Sequence, residues 1–274
     1  MQQEPVPGFR AVTPDDQAAT LRRLFAQRRA RVLPVLVGSA RSSALAAWLA
    51  KLATGFARNG ERTLLIDAAR VHVAAALGLR ARFDLHHWLA GECKAHELLL
   101  DAAPGLAVAS AARAFDAAAR AGGVALAAAL PRLAAAAECD LVLVLMSAAH
   151  ARLLPAGSDC VVPVVAEPGA GATSDPCAAL QRDLGQVRRA ADIAGFRLLF
   201  LGMDRAAAAT LNSRLRGMAA SADSAASANS AAGVAARVHF GGQAAVARDL
   251  IHIVRAAAGW HCAPLSTVAL EPQL

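Results

Sequence analysis

An apolar run ending at Val37 leads into Gly38-Ser39-Ala40-Arg41-Ser42-Ser43-Ala44-Leu45, where a strand–loop–helix would cradle phosphates. Such a loop uses glycines so that the backbone can close around the phosphates. It also uses a lysine to reach the β and γ oxygens and a hydroxyl residue to hold Mg²⁺. Here one glycine opens the loop, Leu45 and Ala46 stand where the lysine and the hydroxyl residue would be, and Arg41 is the sole cation. Ser39, Ser42 and Ser43 carry hydroxyls, but no G-x-S-x-G turn surrounds them. They read as caps for a helix starting near Ala44, since serine oxygens accept the free N–H groups there. Arg41 beside that helix start suits a stray sulfate or phosphate, or stands in as a phosphate-binding cation. Asp67 ends the next apolar run and has two readings. It is either a site carboxylate or a strand-end carboxylate facing the N–H groups of the next helix. His86-His87, Cys93 and His96 have no recognised zinc spacing and read as surface or half-buried residues.

The elements that must position these residues alternate. Expected strands are Val32–Val37, Thr63–Asp67, Leu106–Ser110, Leu141–Met146, Cys160–Val165, Phe196–Gly202 and Arg237–Phe240. Expected helices include Leu45–Arg58, Phe115–Ala137, Pro176–Ile193, Ala206–Met218 and Gln243–Ala257. Strands apolar throughout and separated by helices imply an α/β fold, a mainly parallel sheet flanked by helices. Pro34 removes one ladder donor from the first strand. Ahead of it, Thr13-Pro14-Asp15-Asp16 starts a helix well: hydroxyl cap, first-turn proline, then carboxylates. That helix is amphipathic, with Ala18, Leu21, Leu24 and Phe25 on one face. Residues 219–233 form an Ala/Ser-rich stretch expected to be flexible, and 259–274 an irregular tail.

Hydrophobic residues make up 56% of the 274, and mean hydropathy is +0.40. Alanine supplies much of this, and no apolar run approaches the ~18 residues that span a bilayer. Residues 1–14 lack the apolar segment of a secretory signal. The five cysteines are odd in number and scattered, which fits reduced thiols in the cytoplasm better than a disulfide framework. The net charge of +7 would attract nucleic acid or anionic lipid if clustered; the basic residues are mostly dispersed and read as a solvated surface.

Asp16-Gln17-Ala18-Ala19-Thr20-Leu21-Arg22 resembles the DQAxxLR segment that opens the FlhG/FleN family, MinD/ParA-type regulators of flagellar number and placement. In that family the segment is a short helix that docks on the GTPase FlhF and stimulates GTP hydrolysis. Similar order and spacing continue along Asp16 to Leu250. Thr54–Asp67 resembles the end of the family's first helix and its second strand, and Leu77-Gly78-Leu79, Phe83-Asp84-Leu85 and Leu89-Ala90-Gly91-Glu92 the stretch after it. Gly105–Val108 resembles the third strand, Cys139–Leu145 the Walker B strand, and Glu167-Pro168 the loop after the next strand. Counted back from Gly60 and Asp67 without gaps, the family's KGGxGKT falls on Ala40–Ala46, with Leu45 at the essential lysine. The first aspartate of its DAD matches Asp67 and the second, which orients the attacking water, matches Ala69. The Walker B aspartate matches Leu145, and the adenine-contacting asparagine matches Gly202.

The resemblance implies a P-loop α/β domain of MinD/ParA type over 31–258, preceded by a partner-binding helix within 1–30. Its partner-binding residues are Asp16, Gln17, Ala18, Leu21 and Arg22, with Gln17 and Arg22 as polar contacts and Leu21 as the apolar anchor. Its nucleotide-binding positions, Gly38, Ser39, Arg41, Ser42, Ser43 and Asp67, are degenerate, because positioning and charge neutralisation are nearly all such an enzyme supplies. The expectation is a pseudo-ATPase without catalytic residues and without ATP/Mg²⁺ as cofactor. It would act on an FlhF-like GTPase, with flagellar basal-body or regulatory proteins as further candidate partners. Two rivals stand beside this reading: an active ATPase with an atypical loop, and a ParA-like non-specific DNA binder. Asp249–Arg255 has little cationic face and His261–Leu274 no Lys or Arg, so independent membrane anchoring is not expected. The site of action is the cytoplasm, with recruitment to the flagellated pole or inner membrane face through a partner.

Overall fold

The computed structural model describes residues 30–38, 43–154, 158–165 and 176–201, together with 206, 209–211 and 213–215. Its strands are β1 (Arg31–Leu36), β2 (Thr63–Asp67), β3 (Leu100–Ala103), β4 (Leu106–Ser110), β5 (Leu141–Met146), β6 (Ser158–Val165) and β7 (Ile193–Leu201). They form one sheet in the order β3-β4-β2-β5-β1-β6-β7. Every pairing is parallel except that of β3 with β4. The expected mainly parallel sheet flanked by helices is therefore the fold observed.

Period-two alternation explains how uniformly apolar strands bury both faces. In β5, Leu141, Leu143 and Leu145 join Leu33, Val35 and Leu65 in one core. Val142, Val144 and Met146 join Leu64 and Ile66 in a second core on the opposite face. Helix α1 (Ser43–Arg58) covers the first face with Leu45, Leu49, Leu52, Ala53 and Phe56, at helical spacing. The second face is covered from α5 (Ala112–Ala121) and α6 (Val124–Ala136) through Phe115, Leu126 and Leu133. Leu184 and Val187 of α7 (Pro176–Ala190) pack with Val162 and Leu198 of β6 and β7. Short helices α2 (Val73–Ala76), α3 (Leu85–Leu89) and α4 (Ala95–Leu98), and a 3₁₀ turn at Ala148–Leu153, complete the connections.

Several boundaries differ from expectation. The single helix over Phe115–Ala137 is two, broken at Gly122 and Gly123, whose φ angles are 95° and 75°. A left-handed pair ends a right-handed helix, and a side chain at Gly123 would meet Leu153 Cδ2 at 2.7 Å. The helix expected to reach Ile193 stops at Ala190, and Ile193 already begins β7. The first strand spans Arg31–Leu36 rather than Val32–Val37, and β6 starts two residues before Cys160. Pro34 lies in β1 and Pro163 in β6, and the ladder between these strands has the single registered pair Val35↔Val161. Two missing donors thin that ladder. β3 has no expected counterpart: its LDAA segment lacks an apolar run, and the turn signal Pro104-Gly105 before β4 was its only trace. The expected N-terminal helix, strand Arg237–Phe240, helix Gln243–Ala257, stretch 219–233 and tail lie outside the described residues.

Candidate functional site

The carboxyl ends of the central strands converge where an open α/β sheet places its ligand site. Val37 N–H donates to Met146 O at 2.8 Å, and Ala68 N–H to Leu145 O at 2.9 Å. These bonds carry the β1–β5 and β2–β5 pairings past the strand ends, and Leu145 is in register with both Val35 and Asp67. Gly38 follows β1, and α1 begins at Ser43. Ser39, Arg41, Ser42 and Gly202 lie outside the described residues, as do Asp16, Gln17, Ala18, Leu21 and Arg22.

Three side chains at this junction are apolar and buried. Leu45 is 3% exposed, Ala69 2% and Leu145 0%, and all three belong to one core with Val37, Leu49 and Val73. None of the three side chains carries an atom able to bind a phosphate or a metal ion. Leu45 faces inward because it lies one turn from Leu49 and two from Leu52 on the buried stripe of α1. At the end of β1, a side chain on Gly38 would come within 3.4 Å of Asp183 Oδ2 of α7.

Asp67 is the one strand-end carboxylate of this junction among the described residues, and its oxygens are occupied. Oδ1 accepts Val71 N–H at 3.0 Å, while Oδ2 accepts His72 N–H at 2.7 Å and Val73 N–H at 3.3 Å. The turn it closes contains two non-glycine residues in the left-handed region, Arg70 at φ 55° and His72 at φ 64°. Such residues cost on the order of 1–3 kcal/mol each, so the surrounding structure must hold them. The buried carboxylate does this by satisfying the start of α2.

A second polar cluster lies beside the junction. The His150 ring, 2% exposed, has Nε2 2.9 Å from Asp116 Oδ1, and Asp116 Oδ2 accepts from Arg70. The cluster ties the turn after β2, helix α5 and the 3₁₀ turn after β5 into one unit. Burial pushes the Asp116 carboxyl up, but the hydrogen bonds from His150 and Arg70 and the Arg70 charge outweigh it and hold the group below its ordinary value. Ser147 Oγ lies 3.4 Å from His150 Nδ1, completing a Ser–His–Asp series. The same Nδ1 accepts the Ser147 backbone N–H at 3.4 Å, and the ring is packed edge-on against Phe115. That is a turn cap rather than an activated nucleophile. Sequence reasoning missed this cluster because 46 residues separate Arg70 from Asp116 and 34 separate Asp116 from His150.

The His86-His87 segment is also a cap. Asp84 Oδ1 accepts His86 N–H, and His87 Nδ1 accepts Asp84 N–H, both at 2.9 Å. Asp84 further accepts Arg113 N–H and Ala114 N–H, fixing α3 against the start of α5. Cys93 is buried, and burial, with Glu97 and Glu92 nearby, pushes its thiol up. Cys93, Cys139 and Cys160 are buried. Among the described residues no group of three His, Cys, Asp or Glu is placed to hold a metal ion, and no helix is long and apolar enough to cross a membrane.

No family model matches the sequence, and no curated protein matches it significantly. Solved structures do. Cobyrinic acid a,c-diamide synthase from Mycobacterium smegmatis, with bound ADP and magnesium, matches at 17% identity and TM-score 0.52, over 85% of this chain and 97% of that one. The same synthase with a bound ATP analog and magnesium matches at 18% identity and TM-score 0.51, over the same shares. The MinD cell division protein of Aquifex aeolicus matches at 16% identity and TM-score 0.47, over 64% of this chain and 70% of that one. At such identities the likeness is one of fold: this chain carries a mainly parallel, helix-flanked sheet like that of the synthase.

Proposed function

We propose that this protein is a pseudo-ATPase on a MinD/ParA-type scaffold, acting by protein contact to regulate flagellar number or placement. The observation that carries the loss of nucleotide chemistry is the shared burial of Leu45, Ala69 and Leu145 in one core. These are the positions that the FlhG/FleN resemblance assigns to the phosphate lysine, to the aspartate that orients the attacking water and to the Walker B aspartate. A nucleotide with Mg²⁺ does not fit such residues, since apolar groups cannot replace the water stripped from phosphate and metal. Asp67 supports the same reading, its oxygens already engaged by three N–H groups.

The flagellar part rests on Asp16-Gln17-Ala18-Ala19-Thr20-Leu21-Arg22. In this reading Asp16, Gln17 and Arg22 make polar contacts with an FlhF-like GTPase, Ala18 allows close approach, and Leu21 anchors the helix in an apolar groove. A helix needs no ATP cycle to do this, so the activity outlasts the pocket. The test is GTP turnover by such a GTPase with the full chain and with a chain lacking residues 1–30. Stimulation by the full chain alone is the expected result. Equal effects of the two chains, or no effect of either, would sink the partner assignment.

A further inference from the structure

Between α5, the 3₁₀ turn and α7 lies an open groove of about 370 Å³, remote in sequence from both the N-terminal segment and the β1–α1 loop. Its alanines are Ala119 of α5, Ala148 and Ala149 of the 3₁₀ turn and Ala190 of α7, with Arg152, Gln186 and Arg189 among them. Arg152 and Arg189 are exposed. Neither forms an ion pair among the described residues. Asp116, one turn before Ala119 on α5, is engaged by Arg70 and His150 rather than by either guanidinium group.

Two features together define what fits. Alanine side chains offer apolar surface without reach or hydrogen-bonding capacity, so an occupant must bring apolar side chains close to the backbone of the groove. Guanidinium groups pair with carboxylates in a two-pronged geometry and so fix its register. A small inorganic anion would use only the second feature. An amphipathic segment with carboxylates at its edge uses both.

We infer that this groove is a docking site for an acidic amphipathic segment of a partner protein, independent of the N-terminal contact. Arg152 and Arg189 pair with its carboxylates while its apolar face covers the alanines. Gln186 supplies a neutral hydrogen-bonding group in the same lining.

The test uses the full chain and a fluorescein-labelled peptide of roughly 18 residues, five helical turns, built from Leu, Ala and Glu with leucines on one face. Anisotropy at low salt is expected to show saturable binding. The double variant Arg152→Glu/Arg189→Glu is expected to weaken it by about tenfold or more. Arg80→Glu, an exposed arginine outside the groove, is expected to leave it unchanged. Ala149→Trp, which fills the groove without changing charge, is expected to weaken binding as well. The inference is overturned if Arg80→Glu and the double variant act alike, for then only net charge is being read. It is equally overturned if a Gln-for-Glu peptide binds as well, if millimolar inorganic phosphate displaces the peptide fully, or if no peptide binds.

Discussion

Asp67 and Leu145 are in register at the ends of adjacent strands, and each shows how one residue type decides what the junction does. Asp67 accepts three backbone N–H groups and holds a turn with two left-handed residues. Asp67→Ala leaves those donors unsatisfied and is expected to cost about 3 kcal/mol in urea unfolding; Asp67→Asn, which keeps one acceptor oxygen, is expected to cost less. Leu145 is fully buried in a core without a cation. Leu145→Asp introduces an uncompensated charge and is expected to cost on the order of 3–5 kcal/mol, as unpaired buried charges do. If Mg²⁺ restored that loss, the junction would be a metal site lacking one ligand, contrary to the packing described. At this scale the sequence was readable in part. Asp67 at a strand end showed its surroundings as one of two alternatives, whereas the link from Arg70 through Asp116 to His150 left no local mark.

Elements were legible where burial was periodic and illegible where a turn or an edge decided the outcome. The fully buried β2 and β5 have the expected bounds, because an unbroken apolar run between turns admits little else. Helices α5 and α6 read as one because alanine favours helix on both sides of Gly122-Gly123. Only the left-handed backbone separates them. Gly123→Ala is expected to destabilise by about 1–2 kcal/mol for the left-handed conformation alone, and by more through the contact with Leu153. Gly78→Ala, also at positive φ but facing open space, serves as the strain-only control. Asp116 joins three elements, and its lowered carboxyl gives the joint a pH dependence. The stabilisation is present above the ordinary carboxyl range near pH ~4 and is lost as pH falls through the lower folded value. Asp116→Asn is therefore expected to flatten the acid limb of stability against pH, read as the urea midpoint below about pH 4. An acid limb identical to that of the unsubstituted protein would contradict that assignment.

For the whole molecule, the fold followed from strand–helix alternation, and the sheet order β3-β4-β2-β5-β1-β6-β7 added what alternation alone cannot specify. The same scaffold in the cobyrinic acid a,c-diamide synthase structures is described with bound nucleotide and magnesium. In this chain the carboxyl ends of β2 and β5 close on an apolar core, with Asp183 beside Gly38. Under the proposed pseudo-ATPase reading, stability and nucleotide binding compete for the same positions, and the core occupies them. The most direct test of that claim is equilibrium binding of a fluorescent ATP analogue to the full chain, with and without Mg²⁺. The account predicts no saturable, Mg²⁺-dependent signal; micromolar affinity that requires Mg²⁺ would contradict it.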